Sequence, residues 1–111
     1  MPAKKFRIVL ASAAKRDLEA LEPGLSLQIC KDIAWYLQTS PIPIGKPRIK
    51  KLSDYKPTLY RLRSGDFRAY YRIKEDEVVV LAVRHKKDSD KFLKRIEEKH
   101  RIYEKRVPKK P

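Results

Sequence analysis

From Leu59 to Ile73 the chain alternates apolar and cationic residues on both sides of a Ser-Gly-Asp turn, and few folds accept such a segment. In Tyr60-Arg61-Leu62-Arg63, Leu62 lies between two arginines, the pattern of a strand with one buried and one wet face. Ser64-Gly65-Asp66 supplies the turn, with Gly65 free to take a positive φ. The chain returns as Phe67-Arg68-Ala69-Tyr70-Tyr71-Arg72-Ile73, rich in aromatic residues of high strand propensity. A further strand is expected over Val78–Val83, running into Arg84-His85-Lys86-Lys87. If these strands pair, guanidinium groups from two of them and an imidazole from the end of the third converge on one sheet surface. Such a surface suits a phosphate chain better than a small apolar ligand.

Composition narrows the partners. The chain has 111 residues, the size of one compact domain, and 41% are hydrophobic, too many for a disordered chain. Lys and Arg total 28 against 14 Asp and Glu, a net charge of +14. That surplus implies a polyanionic or acidic partner: nucleic acid, anionic membrane or acidic protein. No apolar run approaches the ~20 residues that span a bilayer, so no membrane role is expected. Met1-Pro2-Ala3-Lys4-Lys5 leads into only a short apolar stretch, so no signal peptide is expected and the expected compartment is the cytoplasm. A single cysteine, Cys30, allows no internal disulfide and no multi-cysteine metal site; it shares helical spacing with Ile33, Ala34 and Leu37 and is expected in the core. No cofactor and no metal are expected.

Along the chain, Lys5 to Leu10 alternate around Phe6, Ile8 and Leu10, which predicts a first strand. Ser12 is the expected N-cap of a helix through Leu21, and Pro23-Gly24 is expected to break it. A second helix is expected from about Ser26 to Gln38, with Ile29, Cys30, Ile33, Ala34 and Leu37 on its apolar face and Trp35 packing at a flank. So short a link predicts an antiparallel helical hairpin. The Pro-rich segment Ser40–Pro47 is expected as a linker inside the domain. It feeds Arg48-Ile49-Lys50-Lys51-Leu52, a basic approach to the β-hairpin. A last helix is expected from near Asp88, packed down by Phe92, Leu93 and Ile96. The reading is α+β, in the order β-α-α-β-β-β-α: an antiparallel sheet on a helical hairpin, with a C-terminal helix. Residues 1–98 form the expected domain and 99–111 a charged tail. The sheet face away from the hairpin is expected to be wet and basic.

The element order, Tyr60-Arg61-Leu62-Arg63 before Gly65, Phe67-Arg68-Ala69-Tyr70-Tyr71, and Val83-Arg84-His85-Lys86-Lys87-Asp88 resemble the RelE/ParE superfamily of bacterial and archaeal toxins over about Phe6 to Ile96. The resemblance implies the toxin of a type II toxin–antitoxin pair, with a cognate antitoxin that wraps the basic surface; a heterotetramer is one form such a complex takes. RelE-like members enter the ribosomal A site and cut mRNA, whereas ParE-like members poison DNA gyrase and are not nucleases. Carried over by position, the family's hairpin arginine falls on Arg68 and the basic residue of the preceding strand on Arg61. A further basic position there falls on Leu59. The arginine after the last strand falls on Lys86, and a tyrosine of the last helix falls on Phe92. Some relatives carry a catalytic histidine near His85.

Metal-free RNA cleavage needs a base for the 2′-hydroxyl, cations for the phosphorane and an acid for the leaving 5′-oxygen. Histidine is the side chain whose ordinary titration falls near neutrality, so His85 is the expected base. Arg61 and Arg68 can grip phosphate oxygens bidentately, and Lys86 can stabilise charge or donate a proton. Arg61, Arg68, His85 and Lys86 are therefore the expected catalytic group. Lys50, Lys51, Arg63, Tyr70, Arg72, Arg84 and Lys87 are the expected RNA contacts. Tyr70 and Tyr71 should face opposite ways, one into the core and one free to stack a base. The expected activity is that of a ribosome-dependent mRNA endoribonuclease, with mRNA and the ribosome as partners. A non-enzymatic gyrase inhibitor and a plain basic RNA-binding module are the alternatives.

Overall fold

The computed structural model describes residues 5–43, 48–52 and 55–96. Strand β1 spans Arg7–Leu10 and leads directly into helix α1, Ser12–Glu19. The backbone N–H of Ala11 donates to the Val80 carbonyl at 2.9 Å, and the Ala11 carbonyl accepts from Lys15 at 3.0 Å. Ala11 is thus both the last sheet residue and the helix N-cap, so Ser12 is the first helical residue rather than the expected cap. Helix α2 spans Pro23–Leu37. Pro23 does not separate the helices: it stands at the first position of α2, where its missing N–H has no intrahelical partner to lose.

The hairpin arises as expected from β3, Leu59–Ser64, and β4, Phe67–Lys74, with Gly65 at φ +57° in the turn. A Cβ at Gly65 would meet nothing within 4 Å, so the glycine serves conformation rather than space. Strand β5 spans Glu77–His85, a 3-10 turn covers Lys86–Asp88, and helix α3 runs over 89–96. The basic approach to the hairpin is itself a strand, β2, Ile49–Leu52, paired antiparallel with β3. It carries just two apolar residues, Ile49 and Leu52, one for each face, so it shows almost no hydrophobic run. The charged tail lies outside the described residues.

The five-stranded sheet has the order β1-β5-β4-β3-β2. The meander β3-β4-β5 is antiparallel, as expected, while β1 joins β5 in parallel and makes the sheet mixed. One face packs on α1 and α2 through Ala14, Leu18, Ile29, Ile33 and Leu37 against Leu62, Ala69, Tyr71, Val78, Val80 and Val83. Cys30 packs against this core. The opposite face is not uniformly wet. Its middle holds a second cluster, Leu59, Tyr70, Ala82 and Phe92, with Leu52, Tyr55, Leu93 and Ile96 around it. Residues Phe92, Leu93 and Ile96 belong to α3, which therefore covers part of the surface expected to be bare. Among the described residues no helix is long and apolar enough to cross a membrane.

Candidate nucleic-acid interface

Strand register sorts the cations. Leu62 and Ala69 are partners on the helix side, so their neighbours Arg61, Arg63 and Arg68 point to the other face. Arg63 lies opposite Arg68, and Arg68 lies opposite Arg84, giving a row of three guanidinium groups across β3, β4 and β5. One step along, Lys50 lies opposite Arg61 and Arg61 opposite Tyr70. Arg72 shares the face beyond Tyr70. Like charges placed directly opposite one another destabilise a sheet, so nothing in folding alone favours this row.

His85 is on the other side. It is the register partner of Phe67, and their rings meet edge to face with centroids 5.2 Å apart. Phe67 packs against the α1–α2 core. The expected convergence of Arg61, Arg68 and His85 in one concavity is therefore not observed. The cause is one residue. Tyr70 lies opposite Ala82 but Tyr71 lies opposite Val80, so Leu81 is an extra residue in the ladder. That bulge inverts the alternation of β5, bringing Arg84 beside Arg68 and sending His85 to the helix side. The Nδ1 of His85 also accepts the Lys87 backbone N–H at 3.1 Å and caps the 3-10 turn. In the neutral imidazole the proton then sits on Nε2, and neither nitrogen is a free base.

The remaining site residues divide by exposure. Arg68 is anchored: its Nη1 donates to the carbonyls of Gly65 and Phe67, each at 3.0 Å. Burial first, then the charges of Arg61 and Arg63, lower its pKa from the ordinary value, though a guanidinium keeps its proton. Burial likewise lowers the pKa of Arg72. An environment that raises the energy of a cation is one that an anion relieves. Among the described residues Arg61, Arg63, Arg68 and Arg72 form no salt bridge, and the Nε atoms of Arg61 and Arg72 are buried without a hydrogen-bond acceptor. Lys86 stands at the rim, its Nζ 3.3 Å from Asp66 of the hairpin turn, and Lys87 is exposed beside it. Lys51 pairs with Tyr60, whose alternation points it away from the arginine row.

Tyr70 does not offer a stacking surface. It is fully buried, with its ring 4.6 Å from Phe92, and Tyr71 is fully buried on the opposite face. Both tyrosines are core because both faces have a core. Leu59 and Phe92, which stand where the resemblance calls for a basic residue and a tyrosine, are part of the same α3 cluster. Trp35, expected to pack, is 78% exposed, beside a groove of ≈ 930 Å³ lined by Lys31, Tyr36 and Arg48 among others. None of Arg61, Arg63, Arg68, Arg72 and Arg84 lines that groove. The pattern gave no notice of Asp17. Its Oδ2 accepts the Val83 N–H at 2.9 Å and lies 3.2 Å from Arg84 Nε.

The described residues thus form a mixed five-stranded sheet with two helices on one face and a row of arginines on the other. Residues 8–90 match the family model of the ParE toxin of the type II toxin–antitoxin system parDE. The chain belongs to that family. The fold is similar to a chain of the RelBE2 toxin–antitoxin complex of Mycobacterium tuberculosis, with TM-score 0.59 and 26% identity over 73% of this chain and 98% of that one. It also resembles a chain of the RelB–RelE complex of Methanococcus jannaschii, with TM-score 0.59 and 24% identity over 76% and 96% of the two chains. A free-state mutant of the Escherichia coli toxin RelE aligns with TM-score 0.56 and 21% identity over 83% and 98%. No curated protein matches the chain.

Proposed function

We propose that this type II toxin is a ribosome-dependent mRNA endoribonuclease whose arginine row grips the RNA backbone. The observation that carries the reading is the row Arg63–Arg68–Arg84 with Arg61 and Lys50 beside it. In the reaction the 2′-hydroxyl oxygen attacks phosphorus and the bond to the 5′-oxygen breaks. Arg68, fixed by two carbonyls, and Arg61 stabilise the charge that builds on the phosphoryl oxygens. A guanidinium does not exchange protons at neutral pH. The Lys86 ammonium at the rim then donates a proton to the leaving 5′-oxygen, the 2′-hydroxyl proton passes to water, and the ribosome supplies the alignment of the RNA. An acidic antitoxin segment neutralises the same face, consistent with a net charge of +14.

A second reading is a non-enzymatic gyrase inhibitor of the ParE kind. The match to the ParE model and the burial of Leu59 and Phe92 favour it, because those positions then need no chemistry. One experiment separates the two. The purified full chain is added to an in vitro translation reaction and mRNA ends are mapped by primer extension, with gyrase supercoiling assayed in parallel. New mRNA ends with normal supercoiling establish the nuclease. Lost supercoiling without new ends establishes the inhibitor.

A further inference from the structure

Arg84 is held from two sides by groups outside its strand. Its guanidinium lies over the ring of Phe92, 5.4 Å from the centroid, and its Nε is 3.2 Å from Asp17 Oδ2. The Nε–H is not aimed at that oxygen, so the contact is ionic rather than a hydrogen bond. Asp17 is itself fixed. Strand β1 ends at Leu10, opposite Val80, so the Val83 N–H at the uncovered edge of β5 has no strand acceptor. Asp17 Oδ2 takes that place at 2.9 Å. A carboxylate locked to the sheet edge and an aromatic ring thus fix the plane of one guanidinium, whose side chain is still 33% exposed. Its register partner is Arg68, the best-anchored cation of the row.

We propose that Asp17 is a positioning residue: it holds Arg84 so that its terminal nitrogens seat an RNA phosphate next to the one bound at Arg68. The proposal rests on the reading of the row as an RNA-binding face, but not on cleavage. A preset guanidinium loses less freedom on binding, which is where the affinity arises.

The test uses the full chain and a fluorescent single-stranded RNA oligonucleotide, with affinity measured by anisotropy across a salt series. Arg84→Ala is expected to weaken binding about ten-fold or more, as loss of one charged hydrogen-bonding group does. It should also reduce the salt slope by about 0.7, the increment for one single-strand phosphate contact. Asp17→Asn keeps an acceptor for the Val83 N–H and removes one negative charge from the protein. Simple electrostatics therefore predicts tighter binding, whereas positioning predicts weaker binding with an unchanged salt slope. In the double variant, Asp17→Asn should add nothing to Arg84→Ala. Tighter or unchanged binding by Asp17→Asn overturns the proposal, as does an Arg84→Ala variant that binds like wild type. If these binding results hold while no mRNA is cut on ribosomes, the nuclease reading falls and the phosphate seat stands.

Discussion

The two faces of the sheet are built on opposite terms. Toward α1 and α2, strand alternation delivers Leu62, Ala69, Tyr71, Val78, Val80 and Val83 to one continuous core, each almost fully buried. Toward α3, the same strands deliver a small cluster around Tyr70 and, beside it, arginines aligned against arginines. The first face lowers the free energy of the fold. The second holds charges that repel each other, an arrangement kept where binding an anion relieves it. The difference shows that alternation alone does not separate core from surface here. It separates two cores, one of which shares its face with the arginine row.

The sharpest way to break this contrast is to truncate neighbouring residues of β3. Leu62→Ala should cost ~2–5 kcal/mol in urea denaturation, the usual range for a buried leucine. Arg63→Ala should stay within about 0.5 kcal/mol of wild type, as exposed substitutions do. Equal losses at both would mean that the arginine face is structural. Next in size is Arg68→Ala, expected to reduce mRNA cleavage by ~10²–10³, equivalent to ~2.7–4 kcal/mol of transition-state stabilisation. Its melting temperature should remain near that of wild type. A variant that unfolds instead would place Arg68 among the residues that hold the sheet together.

A third prediction concerns the helix-side core through pH. Burial, and secondarily Tyr60, raise the Tyr71 pKa well above the ordinary tyrosine value of 10.0, and its hydroxyl donates to the Pro41 carbonyl at 2.6 Å. A folded pKa above the unfolded one means the stabilisation is complete below pH 10 and is lost as pH rises toward the folded value. Above pH 10 stability should fall by up to about 1.4 kcal/mol per pH unit for this one proton. Tyr71→Phe should flatten that alkaline slope; an unchanged slope would show that other groups govern it. The smallest effect is expected at His85. Because it lies on the helix side and caps a 3-10 turn, His85→Ala should cost about 1 kcal/mol of stability, like other lost caps, and leave cleavage within a few-fold. A hundred-fold loss of cleavage would put His85 back among the catalytic groups.

Much of this was legible in the residues. The hairpin, the meander and the shared face of Arg61, Arg63 and Arg68 follow from Leu62 between arginines and from Gly65 in its turn. What escaped has specific causes. Straight alternation from Val78 puts His85 with Arg68, and nothing in Val79-Val80-Leu81-Ala82 marks Leu81 as the bulged residue. Phe92, Leu93 and Ile96 announce a packed helix but not the face it covers, so Tyr70 passed for an accessible ring. Asp17 is one acidic residue in an amphipathic helix; only the early end of β1 makes it the acceptor for Val83. Strand β2 has too few apolar residues to be seen before its partner is known.

The parallel pairing of β1 with β5 also sets a clock. Arg7 and Glu77 are register partners, joined by side-chain contact although 70 residues apart. During synthesis β1 leaves the ribosome long before the strand it must join. At ~5–20 residues per second it waits roughly 4–14 s. Closing so long a loop is also slow against local helix formation. The sheet edge carrying Asp17 and Arg84 is completed only then, when nearly the whole described length has been made.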